Sequence, residues 1–174
     1  LGFVGSHLVE KLVNLNHKVI IIDNFSSGKT ENIKKVKKKV KIIKADISKQ
    51  GNWGKYFKSI DTVIHLAAIA DIVPSINDPR SYFDTNVKGT LNVLENSRKF
   101  NVKKFIYAAS SSSYGIPKKY PTNETEILDP KYPYSLSKKL GEDLVLHWGK
   151  VYKLKVISLR FFNIYGERSR TSGT

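Results

Sequence analysis

Short apolar runs rich in β-branched residues recur along the chain at 18–23, 40–45, 62–67, 104–109 and 155–159, with longer stretches of helical spacing between them. This alternation constrains the fold more tightly than any other feature. Brief runs that are apolar throughout read as strands buried on both faces. The helical stretches cover 4–15, with Val4, Leu8, Leu12 and Leu15; 83–100, with Val87, Leu91 and Leu94; and 134–152, with Leu140, Leu144 and Val151. Strand and helix in turn make βαβ units. Such units build an α/β domain with a doubly wound parallel sheet, whose ligands bind beyond the carboxyl ends of the strands. No repeat and no Pro/Gly/Ser-rich linker divides the 174 residues, so one domain over 1–174 is expected.

Composition removes several classes. There is no cysteine, hence neither a disulfide framework nor a thiolate zinc site, and no metal site is expected; a reducing compartment, the cytoplasm, is favoured. The longest apolar runs, such as Val19–Ile22, fall far short of a membrane span, and no signal-peptide pattern is visible. The formal charge of +15 could attract polyanions. Its densest part, Lys34-Lys35-Val36-Lys37-Lys38-Lys39-Val40-Lys41, holds no aromatic residue that could stack on bases, so it reads as solvated surface rather than a nucleic-acid site. The chain opens on Leu1 rather than Met and ends in Arg170-Thr171-Ser172-Gly173-Thr174 without an obvious terminal element. A piece of a longer protein is therefore expected.

Leu1-Gly2-Phe3-Val4-Gly5-Ser6-His7 runs straight into a helical stretch. Its two glycines match the last two of a G-x-x-G-x-x-G turn, where a pyrophosphate approaches the backbone and the helix N-terminus favours the anion. A plain helix start, with Gly5 as a packing residue, is the alternative. The next strand ends in Asp23, eighteen residues after Gly5. A carboxylate there accepts hydrogen bonds from both ribose hydroxyls and repels a 2′-phosphate, which favours NAD over NADP. The following Asn24-Phe25-Ser26-Ser27 holds no arginine to welcome that phosphate. Ala45-Asp46-Ile47 closes the third expected element, where Asp46 and the neighbouring amide could hold an adenine edge; a turn or capping role for Asp46 is an equal reading.

Further along, Tyr134-Ser135-Leu136-Ser137-Lys138 sets a phenol and an ammonium four residues apart on one helix face. A phenol with an ordinary pKa of about 10 is a poor base near neutrality, and a neighbouring cation stabilises the phenolate. The serine run Ser110-Ser111-Ser112-Ser113 follows the strand at 104–109 and so lies at the carboxyl edge of the sheet. A hydroxyl there can bond the same substrate oxygen as the tyrosine; a solvated turn is the bland alternative.

On these segments, joined by His65-Leu66-Ala67-Ala68, Asn86-Val87-Lys88-Gly89-Thr90, Tyr114-Gly115, Tyr132-Pro133 and Arg160-Phe161-Phe162-Asn163-Ile164-Tyr165-Gly166, the chain resembles the extended short-chain dehydrogenase/reductase family. The likeness is to its NAD-dependent nucleotide-sugar epimerases and dehydratases in particular. It implies a Rossmann-like NAD-binding domain lacking its first strand and the substrate domain that follows it in the family, so that the fragment alone is expected to be inactive and unstable. It implies NAD against Gly2, Phe3, Val4, Gly5, Asp23, Asn24, Asp46, Ile47, Leu66, Ala67, Ala68, Asn86, Tyr134 and Lys138, and substrate against Ser110, Ser111 and Asn163. Catalysis would fall to Ser110, Tyr134 and Lys138.

The reaction so implied is inversion at C4 of a nucleotide sugar, a UDP-sugar first, by transient oxidation to a 4-keto intermediate, in a homodimer when full-length. Dehydratase and decarboxylase relatives share the Tyr/Lys pair but carry acidic residues where this chain has Ser111 and Ser112. Elimination needs an acid and a base that a serine hydroxyl supplies poorly, so epimerisation is the expectation. A redox-inactive NAD-binding regulator is the reading from another class; it would have little use for Ser110, Tyr134 and Lys138 together.

Overall fold

The structure is a computed structural model that describes residues 1–169; the terminal stretch 170–174 lies outside the described residues. Helix α1 (Phe3–Asn14) leads into strand β1 (Ile20–Asp23), and β2 (Lys41–Lys44) follows after short 3₁₀ turns. Next come β3 (Thr62–His65), the short helices α2 (Ile72–Asn77) and α3 (Pro79–Phe83), α4 (Gly89–Lys99), β4 (Lys104–Ser110), α5 (Pro133–Tyr152) and β5 (Lys155–Phe161). Every strand pairing is parallel, as the alternation requires. The chain is thus α/β and Rossmann-like.

The sheet is present in two pieces. β1 pairs with β2, and β4 lies between β3 and β5; among the described residues no strand is hydrogen-bonded across from β1 to β3. Each piece has its own core. Leu1, Val9, Val13, Ile21, Ile33 and Val36 pack α1 against the first pair; Leu94, Phe105, Tyr107, Val145 and Leu154 are among those that pack α4 and α5 on the second. Burial on both faces of every strand does not hold: Ile157 and Leu159 on one face of β5 are exposed, because no described element covers that face.

The helical periods are right, and Leu94 of α4 is fully buried as expected, but the phases of α1 and α5 differ. In α1 the buried residues are Ser6, Val9 and Val13, whereas Leu15, expected inside, is 56% exposed at the helix end. In α5 Ser135, Ser137, Lys138, Gly141, Glu142 and Val145 face inward, and Val151 is exposed. The stretch expected as one helix over 83–100 contains a π-helical segment at Asp84–Lys88 before α4. That extra residue per turn turns Asn86 inward, to 1% exposure.

Among the described residues no helix is long and apolar enough to cross a membrane, and no group of three or more His, Cys, Asp or Glu is placed to hold a metal. The lysine-rich segment is exposed around the buried Ile33 and Val36. Lys41 does meet an aromatic ring there, from outside the run: its Nζ lies 4.6 Å from the centroid of Tyr56.

Candidate functional site

Side chains at the carboxyl ends of β1, β3 and β4 are held by the helices that follow or precede them. Ser110 ends β4, and its Oγ accepts from the Ser112 amide at 3.2 Å while sharing a hydrogen bond with Ser112 Oγ at 2.8 Å. The Tyr134 hydroxyl donates to the same Ser110 Oγ at 3.4 Å. The strand end and the first turn of α5 thus bring Ser110 and Tyr134 together, as the sequence suggested. Ser111 stands beside them, partly exposed.

Tyr134 is fixed from two further sides. Its amide donates to the buried Ser75 Oγ of α2 at 3.1 Å, and its ring meets Tyr82 edge-on with centroids 6.2 Å apart; Tyr82 in turn donates to the Ala70 carbonyl at 2.7 Å. Sequence reasoning missed Ser75 and Tyr82. Neither lies in a periodic stretch, and only the fold brings 69–83 against α5. Burial holds the Tyr134 phenol above its ordinary value; the Ser110 hydrogen bond opposes this and the charge of Asp71 adds to it.

Lys138 is buried on α5, 4% exposed. Its Nζ donates to the Ala108 carbonyl and sits 4.5 Å from the centroid of Tyr107, so in this structure the ammonium serves the strand and ring beneath the site rather than the phenol. Burial pushes Lys138 down to about 8, with Glu142 opposing. His65, at the end of β3, contacts Thr90 Oγ1 at 2.9 Å. It is pushed down to about 3, first by burial and then by the Lys138 charge, and so stays neutral.

The proposed cofactor residues divide into two groups. Gly2 caps α1 with no side-chain hydrogen bond and no acidic residue in the first turn, and a Cβ at Gly2 would meet nothing within 4 Å. The positive end of the dipole of a twelve-residue helix lies at this turn. A Cβ at Gly5 would lie 3.6 Å from Leu66 Cδ1, which joins the turn of Phe3 and Val4 to the end of β3; Ala67 and Ala68 follow, exposed. Asp23 ends β1, and its Oδ1 accepts from the Phe25 amide at 2.7 Å. A carboxylate closing β1 beside an uncapped helix start is the set of groups a dinucleotide's ribose and diphosphate call for.

The second group is occupied within the protein. Asp46 accepts the amide and hydroxyl of Ser48 at 2.9 and 2.8 Å, the turn role left open above. Ile47 is buried, and its carbonyl takes the Asn92 amide at 2.8 Å. Asn86 is buried: its Oδ1 accepts from Ile69 N at 2.9 Å, and its Nδ2 donates to Ile69 O and Ser137 Oγ, both at 3.0 Å. Through these bonds its side chain fixes the backbone at Ile69, just past the end of β3. Asn24 is exposed and accepts from the Ser26 amide at 3.0 Å. Asn163 is exposed just past β5, on a segment tied back to α1 by Arg168 to Glu10 at 2.7 Å and by His7 to the Glu167 carbonyl at 2.9 Å.

The model of the NAD dependent epimerase/dehydratase family matches residues 1–174. The chain belongs to this family. It is 38% identical over 174 residues to a putative UDP-glucose 4-epimerase of Methanocaldococcus jannaschii, covering 99% of this chain and 56% of the relative. The UDP-glucose 4-epimerase of Thermotoga maritima, solved with UDP-glucose, superposes with a TM-score of 0.93 at 37% identity over 99% of this chain and 56% of that one. That of Thermus thermophilus, solved with NAD, gives a TM-score of 0.91 at 35% identity, over 99% and 56%. The chain thus spans about half the length of the proteins it matches. The family is an NAD-dependent one, and the uncapped α1 turn and Asp23 are consistent with that.

Proposed function

We propose that the full-length protein is an NAD-dependent nucleotide-sugar 4-epimerase acting on a UDP-sugar. The observation that carries this reading is the Tyr134 hydroxyl on Ser110 Oγ at 3.4 Å, at the carboxyl end of a parallel strand, with uncharged Ser111 and Ser112 beside it. Bound NAD would supply a reversible acceptor for the two electrons and hydrogen leaving sugar C4.

The chain's own residues do the rest. The Gly2–Gly5 amides hold the diphosphate of the cofactor, Asp23 its adenosine ribose and Lys138 its second ribose. Ser110 orients the C4 oxygen, and Tyr134 takes the C4 hydroxyl proton, then returns it when the keto sugar has presented its other face. The buried phenol needs a cation for this step, and the Lys138 ammonium, one helical turn along α5, is the one assigned to it. Asn163 would bond the sugar diphosphate. Neither Ser111 nor Ser112 supplies the acid or base that loss of water or carbon dioxide requires.

The half-exposed apolar groove lined by Val87, Leu140 and Leu144 is where we place a second copy, making the full-length protein a homodimer through α4 and α5. The test of function is incubation of the full-length protein with UDP-glucose, UDP-galactose, UDP-glucuronate and N-acetylated UDP-sugars, with products followed by mass and NMR. An epimer of unchanged mass is expected. A product lighter by one water or one carbon dioxide overturns the epimerase reading and leaves the family standing.

A further inference from the structure

One buried charge has no part in the chemistry above. Glu142 lies one turn beyond Lys138 on α5 and is 3% exposed. Its carboxylate accepts Arg160 Nε through both oxygens, at 3.1 and 3.0 Å. Arg160, on β5, also donates through its first terminal nitrogen to Tyr114 Oη at 3.0 Å and to the Glu124 carbonyl at 2.9 Å. Its guanidinium stands over the Tyr114 ring at 5.0 Å, and Tyr114 stacks on Phe162. One ion pair therefore joins the catalytic helix, the last strand and the loop that follows the serine run.

Burying a carboxylate costs several kcal/mol unless its surroundings compensate it. A leucine would fill an ordinary helix–sheet contact at no such cost. Residues four apart on a helix have Cβ atoms about 6 Å from each other, so Glu142 lies within electrostatic reach of the Lys138 ammonium in a medium that screens poorly. We propose that Glu142 is a positioning residue for Lys138: its carboxylate, clamped by Arg160, holds Lys138 in its charged form over the Tyr107 ring, one helical turn from Tyr134. This rests on Lys138 and Tyr134 being the reacting pair.

The other titratable groups around Lys138 do not compete for this role. From β4, Tyr107 is pushed up by burial and stays a neutral phenol; from β3, His65 is neutral above about pH 3; Tyr134 on α5 is a phenol at rest, with Asp71 facing it from the start of α2. Arg160 acts from β5 with the opposite sign to Glu142. Burial works to discharge Lys138, and the Glu142 charge is what opposes it.

The experiment is a ¹³Cε-lysine NMR titration of the full-length protein, with the Lys138 signal assigned by its loss in Lys138→Met. In Glu142→Gln the Lys138 midpoint should fall by about one pH unit, the scale set by a nearby opposite charge that is itself partly neutralised. In Arg160→Met, which unshields Glu142, it should rise. The alkaline limb of kcat should move the same way in each variant, with KM little changed. A midpoint within about 0.2 unit of the parent, or a shift of the same sign in both folded variants, overturns the proposal. If Glu142→Gln does not fold, the direction in Arg160→Met decides. The titration needs no turnover: if Tyr134→Phe keeps full activity, the functional reading fails while the Lys138 midpoints still report whether Glu142 governs that charge.

Discussion

Replacing Gly141 with alanine sets two effects of known size against each other. Gly141 sits inside α5, where alanine would stabilise the helix by about 1 kcal/mol through backbone entropy. Sequence alone therefore favours the change. In the fold, a Cβ at this position would lie 2.2 Å from Tyr107 Oη and 3.0 Å from both Tyr107 Cζ and the Asn86 carbonyl oxygen. Tyr107 is 1% exposed, so its ring has no solvent to retreat into, and the Asn86 contact is backbone. Forcing a methyl group into such packing costs about 1–3 kcal/mol and sometimes more. Displacing Tyr107 also loosens its contact with the Lys138 carbonyl at 3.5 Å and with the Lys138 ammonium above its ring. The clash should win, leaving Gly141→Ala less stable by about 1–3 kcal/mol. Urea unfolding of the full-length protein, followed by circular dichroism, measures this directly. A variant as stable as the parent, or more so, would refute the packing argument. A double variant with Tyr107→Phe removes the nearest atom and should recover part of the loss, and strict additivity of the two changes would equally count against it.

Tyr134→Phe in the full-length protein should lower kcat by about 100- to 10,000-fold, the usual worth of a positioned proton carrier, while NAD stays bound; near-normal turnover contradicts the role given to the phenol. The full-length protein should bind NAD far more tightly than NADP, and Asp23→Ala should weaken NAD and narrow that preference; competition binding checks this, and equal affinities in the parent remove the ribose assignment. His65, depressed from 6.5 to about 3 by burial, binds its proton more readily when unfolded, so its stabilising contribution is complete above about pH 6.5 and is lost progressively as the pH falls toward 3. Urea midpoints between pH 7.5 and 4.5 should fall less steeply in His65→Gln than in the parent, and parallel curves would show that His65 is not the group responsible.

What could be read from the sequence was local. The glycine turn, the carboxylate closing β1, the serines closing β4 and the Tyr134/Lys138 pair each occupy a few consecutive residues whose spacing already states their geometry. The parts that escaped reading are contacts across long separations. Ser75 reaches Tyr134 over 59 residues, Asn86 reaches Ser137 over 51 and Arg160 reaches Glu142 from the following strand. Nothing in the neighbouring sequence marks Ser75 as an acceptor or Glu142 as buried.

The phase of α5 shows why a helical pattern alone misleads here. Leu140, Leu144 and Val151 suggest an apolar inner stripe, but the face turned to β4 carries Ser135, Ser137, Lys138, Gly141 and Glu142. Burying such a face is costly unless each polar atom finds a partner. Each does: Ser135 bonds Tyr132, Ser137 takes Asn86 and gives to the Tyr134 carbonyl, Lys138 gives to Ala108, and Glu142 takes Arg160. A glycine at 141 lets Tyr107 approach closely enough to floor the network. The apolar residues displaced by this arrangement end on the outer side, where Leu140 and Leu144 meet Val87 in a shallow groove. A helix that turns its polar side inward gives up hydrophobic burial for a fixed set of charges and hydrogen bonds, and local rules of patterning fail most often at functional sites. In this chain the failure is most marked on the helix that carries both proposed reacting groups, and the inversion that hides its inner face from the apolar pattern is what ties Tyr134 and Lys138 into their hydrogen-bond network.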